Sequence, residues 1–280
     1  MFHSFIYGQE PFEKLKDKAF DFYFNNKNID SALFYYKTIQ QIYPDFRPSY
    51  INNIIGSCYL AKQETELAKK HLILSLQNPE PLDLFPERVC ITIGDIFLSA
   101  NDYRNALAYY DSSTSYYRTK VARMSRHKFK EGNLETIYKK SICFDKLNRI
   151  DTAISILTPY VFISNEDDII DSSEIENIVD YYISLLKRKY TNKQIKMEFT
   201  KAMKGLFFEQ ELDSSLFKGN SDWKLVRVEC FFIFFGKQVN VFKGEGGMRN
   251  FDDIALSGWR KEDILNKFYK TAAYKKLIKL

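Results

Sequence analysis

The sequence predicts a mostly α-helical protein built from stacked helix-turn-helix pairs. Three observations predict it. Small side chains recur at fixed distances from bulky ones, a short polar turn lies between them, and helix-interrupting residues are scarce, with 11 Gly and 7 Pro in 280 residues. Recurrence at fixed spacing is the mark of a repeat architecture, and it has to be read before any site.

The clearest unit runs from Gly94 to Ala106, GDIFLSANDYRNA: a helix end, a polar turn at Asn101-Asp102 and a new helix start. Asn101 or Asp102 suits the N-cap of the second helix, because a short polar side chain there accepts an otherwise unpartnered backbone N–H. The same frame fits Gly56 to Ala68, GSCYLAKQETELA, with its turn at Lys62-Gln63-Glu64. In both units an aromatic follows the glycine by three (Tyr59, Phe97) and a large residue follows the alanine by four (Leu72, Tyr110). A serine comes three later (Ser75, Ser113). Antiparallel helices approach closely only where side chains are small, so Gly and Ala mark the crossing and the large residues fill the space beside it.

An earlier copy, FYFNNKNIDSALFYYKTIQQIYP, places Ala32 and Tyr36 in the second helix, Tyr23 in the aromatic position and Pro44 at the end. Phe20 stands where the glycine belongs, which predicts a looser, splayed approach. A fourth copy, SICFDKLNRIDTAISIL, uses Ser141, Phe144, Ala153 and Leu157. The anchoring alanines 32, 68, 106 and 153 are 36, 38 and 47 residues apart. A fifth pair, 172–190 and 192–208, has helical apolar spacing with little of the signature.

These positions resemble the tetratricopeptide repeat, a helix-turn-helix unit of about 34 residues. The resemblance implies a right-handed α-solenoid over 1–208, with four units within 12–160 and a degenerate fifth at 172–208, followed by a C-terminal capping region at 209–280. One unit cannot bury its apolar face alone, so neighbours must stack.

In the C-terminal region, DWKLVRVECFFIFFGKQVNVF alternates Val226, Val228, Cys230, Phe232 and Phe234, then offers Gly236-Lys237 as a turn before Val239 and Val241. That pattern suits a β-hairpin over 222–242; the rival is a buried helix capped by Asp222 and stopped by Gly236. FKGEGGMRN reads as a loop without the context of a phosphate cradle. The last stretch, KEDILNKFYKTAAYKKLIKL, reads as a basic amphipathic helix, for packing rather than for a membrane surface.

The totals narrow the function. A net charge of +5 and a pI near 8.7 favour an acidic partner but are too small to argue for nucleic acid. The basic run Arg118, Lys120, Arg123, Arg126, Lys128 and Lys130 reads as a solvated helix face or as a contact for an acidic partner. The acidic stretch NEDDIIDSSEIE lacks the glycine and ligand spacing of a calcium loop. No apolar run reaches the roughly 18 residues of a spanning helix, and no secretory leader is evident. Cys58, Cys90, Cys143 and Cys230 form no CxxC pair, and Cys58 and Cys143 fall at equivalent repeat positions, as core filling does. His3, His71 and His127 have no helical partner for zinc. The expectation is a cytoplasmic, non-enzymatic protein with no cofactor and no metal, whose partner is another protein or peptide. A nucleic-acid or signalling regulator is the alternative, and an enzyme built from converging carboxylates stands behind it.

The resemblance further implies that first helices line a concave groove. Counting from the small-residue position, the partner-binding set is Lys14, Asp17, Asp21, Tyr50, Asn53, Ser57, Arg88, Asp95, Glu135, Tyr138 and Asp145. Some members of the family grip a C-terminal carboxylate with a cationic clamp. Asp17, Asp21 and Asp95 depart from that pattern, which favours a partner bearing both charges.

Overall fold

A computed structural model describes residues 11–77, 86–120, 126–162, 172–213, 224–248 and 258–280. The chain is mostly helical with one small three-stranded sheet, and it divides into two compact units, Met1–Lys120 and Val121–Leu280.

The first unit holds α1 (Phe12–Phe20), a π turn (Asp21–Asn25), α2 (Ile29–Ile42), α3 (Pro48–Ala61), α4 (Thr65–Ser75), α5 (Pro86–Ser99) and α6 (Tyr103–Lys120). Each helix packs on the next in sequence. The small-against-large contacts fall where the spacing puts them. A Cβ added to Gly56 would meet Leu72 Cγ at 2.8 Å, and one added to Gly94 would meet the Tyr110 ring at 2.5 Å. Ala32, Ala68 and Ala106 are all fully buried. The turns repeat too. Gln63 and Asn101 take the left-handed conformation at φ 62° and 60°, five residues before their alanines, and Asn148 does so at φ 59° before Ala153. That geometry lets the backbone N–H of Glu64, Asp102 and Arg149 reach back five residues to the carbonyls of Tyr59, Phe97 and Phe144. Asp102 is the cap of α6, accepting from the Asn105 N–H at 3.2 Å.

The first hairpin departs from expectation. Phe20 does not splay the helices; its side chain is 49% exposed. The π turn accommodates one extra residue, so fully buried Ala19 takes the small position and Phe20 swings outward. The insertion shows in the turn, where the Asn28 N–H bonds the carbonyl of Phe22, six residues back, with Lys27 left-handed at φ 52°.

The second unit opens with α7 (Arg126–Lys146) and α8 (Ile150–Leu157), which carry buried Ser141, Ala153 and Leu157 in the repeat register. Then come α9 (Ser172–Lys189) and α10 (Asn192–Lys204), joined by a capping box in which Thr191 and Gln194 exchange hydrogen bonds. The predicted second helix of this pair, to 208, stops at Lys204, because Phe207 and Phe208 begin a strand.

That strand, β1 (Phe207–Asp213), pairs antiparallel with β2 (Lys224–Phe234), and β2 with β3 (Lys237–Met248). The alternation Val226, Val228, Cys230, Phe232 and Phe234 is buried throughout, so the hairpin reading holds and the helical one fails. The turn residues are Phe235 and Gly236, both at positive φ as a two-residue hairpin requires, one position earlier than expected. FKGEGGMRN is not a loop as far as Met248: Gly244, Gly246 and Gly247 lie in β3 opposite Val228, Val226 and Leu225, held by the backbone ladder. The final segment is two helices, α11 (Lys261–Lys270) and α12 (Ala272–Leu277). Extended Thr271 breaks the run; its hydroxyl bonds the Phe268 carbonyl at 2.8 Å and caps α12.

The core of this unit joins helices and sheet. Phe162, Phe199, Phe232, Phe234 and Phe268 meet with ring centroids 5.2–6.5 Å apart, largely edge to face.

Candidate protein-binding face

The predicted set divides between the units, Lys14 to Asp95 in the first and Glu135, Tyr138 and Asp145 in the second. Lys14 and Asp17 are exposed on α1, and Arg88 is exposed on α5. Asp21 turns back into its own π turn, accepting from Asn25 at 2.8 Å and Asn26 at 2.5 Å. Asp95 accepts the hydroxyl of buried Tyr110 at 2.7 Å, so it satisfies the packing residue of its own repeat.

Tyr50, Asn53 and Ser57 share one half-buried stripe of α3 at helical spacing. Ser57 back-bonds to the Asn53 carbonyl at 2.9 Å and hydrogen-bonds Tyr23. Tyr50 stands edge-on to Tyr36 at 6.4 Å and hydrogen-bonds it. Burial raises the Tyr36 and Tyr23 hydroxyls above the ordinary tyrosine value, so both are neutral donors at any physiological pH. The Arg47 guanidinium lies 4.6 Å over the Tyr50 ring. Arg47 was missed in the sequence, although a basic residue three before a tyrosine at a helix start is a readable signal. A second missed feature is a depression at the α2–α3 turn, lined by Phe12, Ile42, Tyr43, Pro44, Asp45 and Phe46.

In the second unit, Glu135 binds Lys139 at 2.5 Å, and Tyr138 stands edge-on to Tyr181 at 5.4 Å. Asp145 ties α7 to α9, accepting from Arg188 at 2.6 Å and from the Tyr181 hydroxyl at 3.2 Å. Burial first, and then Asp145, raise the Tyr181 hydroxyl.

Two other residue classes take structural places. His71 donates its Nδ1–H to Asn52 Oδ1, 2.9 Å away, and stacks on Tyr59, whose hydroxyl takes a hydrogen bond from Lys37. Burial lowers its pKa from the ordinary 6.5. The four cysteines are free and buried; burial pushes the thiols of Cys58 and Cys230 to about 11 and that of Cys90 to about 12, which keeps them protonated and poorly nucleophilic. Of the basic run, Arg118 and Lys120 end α6, and Arg126, Lys128 and Lys130 begin α7. Arg123 lies outside the described residues, as does the start of the acidic stretch, which ends on α9 with Glu174 and Glu176.

No protein-family profile matches the chain, and no curated protein does. Among solved structures the chain is similar to the C-terminal part of a TPR repeat-containing protein from Cytophaga hutchinsonii. Identity is 13%, covering 67% of this chain and 88% of that one, at a TM-score of 0.32. The repeat reading therefore rests on this chain's own recurring turns and contacts. No helix among the described residues is long and apolar enough to cross a membrane.

Proposed function

We propose that this chain is a non-catalytic interaction module of the tetratricopeptide type, acting in the cytoplasm and holding a protein or peptide partner against the first helices of its repeats. The observation that carries the reading is the recurrence of one hairpin geometry: a left-handed residue, a buried alanine five later and a small residue facing a large one. Helix pairs of that geometry stack into a right-handed solenoid, whose concave face is a ready surface for an extended chain. On this reading the face of the first unit draws its charges from exposed Lys14, Asp17 and Arg88, and also takes half-buried Tyr50 and Asn53. Tyrosine and arginine are frequent energetic anchors, and the mixed charge fits a partner bearing both signs. Glu135 and Tyr138 supply the corresponding face of the second unit. Asp21, Asp95 and Asp145 serve it by holding their helices rather than by touching a partner.

The test is affinity purification of the full chain from its own host, with mass spectrometry, beside the double variant N53A/R88E. One stoichiometric protein with the natural chain and none with the variant supports the reading. Equal recovery by both refutes the face; recovery of nucleic acid that salt releases supports the regulator instead.

A further inference from the structure

The positive charge of the chain is unevenly placed. Residues 1–120 carry 13 Lys and Arg against 14 Asp and Glu, and residues 121–280 carry 28 against 22. Within the second unit, α10 has four lysines and one glutamate, and residues 258–280 have seven basic groups against two acidic. The fold neutralises some of its cations: Arg188 pairs with Asp145, Lys189 with Asp151, and Lys276 with Asp180. Lys193, Lys196, Lys201 and Lys204 have no carboxylate within salt-bridge distance among the described residues.

Helical spacing decides where these lysines point. Ile195, Phe199 and Ala202 are buried and fix the inward side of α10. Lys193, Met197, Lys201 and Lys204 follow one another at steps of four, four and three along the opposite side, and all are exposed. Met197 is 65% exposed, more than any other large hydrophobic among the described residues. A bare methionine thus sits in the middle of a stripe of uncompensated lysines. The inward side of α10 meets α12 through buried Phe199 and half-buried Tyr274, 5.7 Å apart, which leaves the lysine stripe facing outward. Exposed Lys275 lies on α12, and exposed Ile278 and Lys279 follow its end.

We propose that the outward stripe of α10 docks an acidic protein segment, with an apolar side chain of that segment seated on Met197. Charge complementarity selects the sign of the partner. The kind of partner follows from what the stripe lacks. The apolar faces of α10, α11 and α12 are buried in their own core, so no amphipathic face remains to enter a bilayer. The cations are lysines, which act as point charges without the two-pronged phosphate geometry of arginine. Methionine adapts its unbranched, polarisable side chain to an apolar partner group. This surface is independent of the face proposed above.

The probe is a fluorescein-labelled peptide of repeated Glu-Glu-Leu, titrated by anisotropy with the full chain, beside a second peptide with Ala for Leu. The expected result is binding that weakens with salt and falls about tenfold or more in K193E/K201E/K204E, with circular dichroism and melting unchanged. The neutral variant K193Q/K201Q/K204Q shows a smaller loss in the same direction. Met197→Ala lowers affinity for the leucine peptide to that of the alanine peptide, while N53A/R88E binds both normally. Absence of binding at low salt overturns the proposal, as does indifference to charge reversal. So does tighter, competing binding by phosphatidylglycerol vesicles or a single-stranded oligonucleotide.

Discussion

The first unit and the second use the same helix pair and stabilise it differently. In Met1–Lys120 the decisive contacts are small-against-large crossings between helices adjacent in sequence, Gly56 with Leu72 and Gly94 with Tyr110. In Val121–Leu280 a pair with the same register, α7 and α8, belongs to a core that also takes Phe199 from α10, Phe232 and Phe234 from β2, and Phe268 from α11. The contrast teaches that a repeat register predicts its own crossing but is silent about what closes the rest of its surface. Local crossings need only the correct neighbour; the aromatic core needs elements far apart in the chain to arrive together.

Substitutions can break this contrast. The largest effect is expected from Phe232→Ala, which removes a fully buried ring that touches Phe162, Phe199 and Phe268; its destabilisation is about 3–5 kcal/mol. Both tryptophans, Trp223 and Trp259, belong to the second unit, so denaturation followed by tryptophan fluorescence reports this loss. An unchanged midpoint removes the aromatic core from the account.

Next come Gly94→Ala and Ala106→Phe in the first unit, each overpacking a crossing at about 1–3 kcal/mol. Ala68→Phe belongs with them. The loss is expected in far-UV circular dichroism more than in tryptophan fluorescence. Gly205→Ala is the control, because its nearest neighbours are backbone oxygens at 3.7 Å. If Gly94→Ala and Gly205→Ala melt alike, the crossing contact is not what holds α5 to α6.

The first hairpin sharpens the comparison further. Phe20→Ala is expected to change stability by less than about 0.5 kcal/mol, as exposed positions do. Ala19→Phe is expected to overpack like Ala106→Phe. Equal sensitivity at both positions would undo the role given to the π turn.

The smallest effect concerns His71. Its pKa is lowered in the folded state, so below the ordinary 6.5 the unfolded chain binds more protons than the folded one. Stability from this residue is complete above that pH and declines as pH falls. Denaturation midpoints between pH 7.5 and 5 are expected to drift downward in the natural chain and less so in His71→Gln.

How much of this was legible varies by residue. Gly56, Ala68, Gly94 and Ala106 were legible because a crossing needs a small side chain at each turn of the same frame, and spacing alone exposes that need. The alternation from Val226 to Phe234 was legible as a candidate strand, with a buried helix as its rival until the pairing of β2 with its neighbours. Strand β1 was not: FFEQELD alternates weakly, and pairing with β2 makes it a strand. The break at Thr271 was hidden because the apolar spacing continues through it. Of the candidate site, the places of Tyr50, Asn53 and Ser57 on one stripe were readable from helical period. That Asp21 is taken by its own turn, Asp95 by Tyr110 of α6 and Asp145 by Tyr181 and Arg188 of α9 was not, since each partner is chosen by side-chain placement in space.

The order of letters alone settled the recurring hairpin, because it depends on a spacing of a few residues. At 222–242 it left strand and buried helix both open, and pairing with β1 and β3 chose the strand. Tertiary structure alone decided the fate of Phe20, the join of sheet to helices and the isolation of the α10 lysines. Those outcomes turn on which distant groups compete for the same space and the same charge, and no local period encodes that competition.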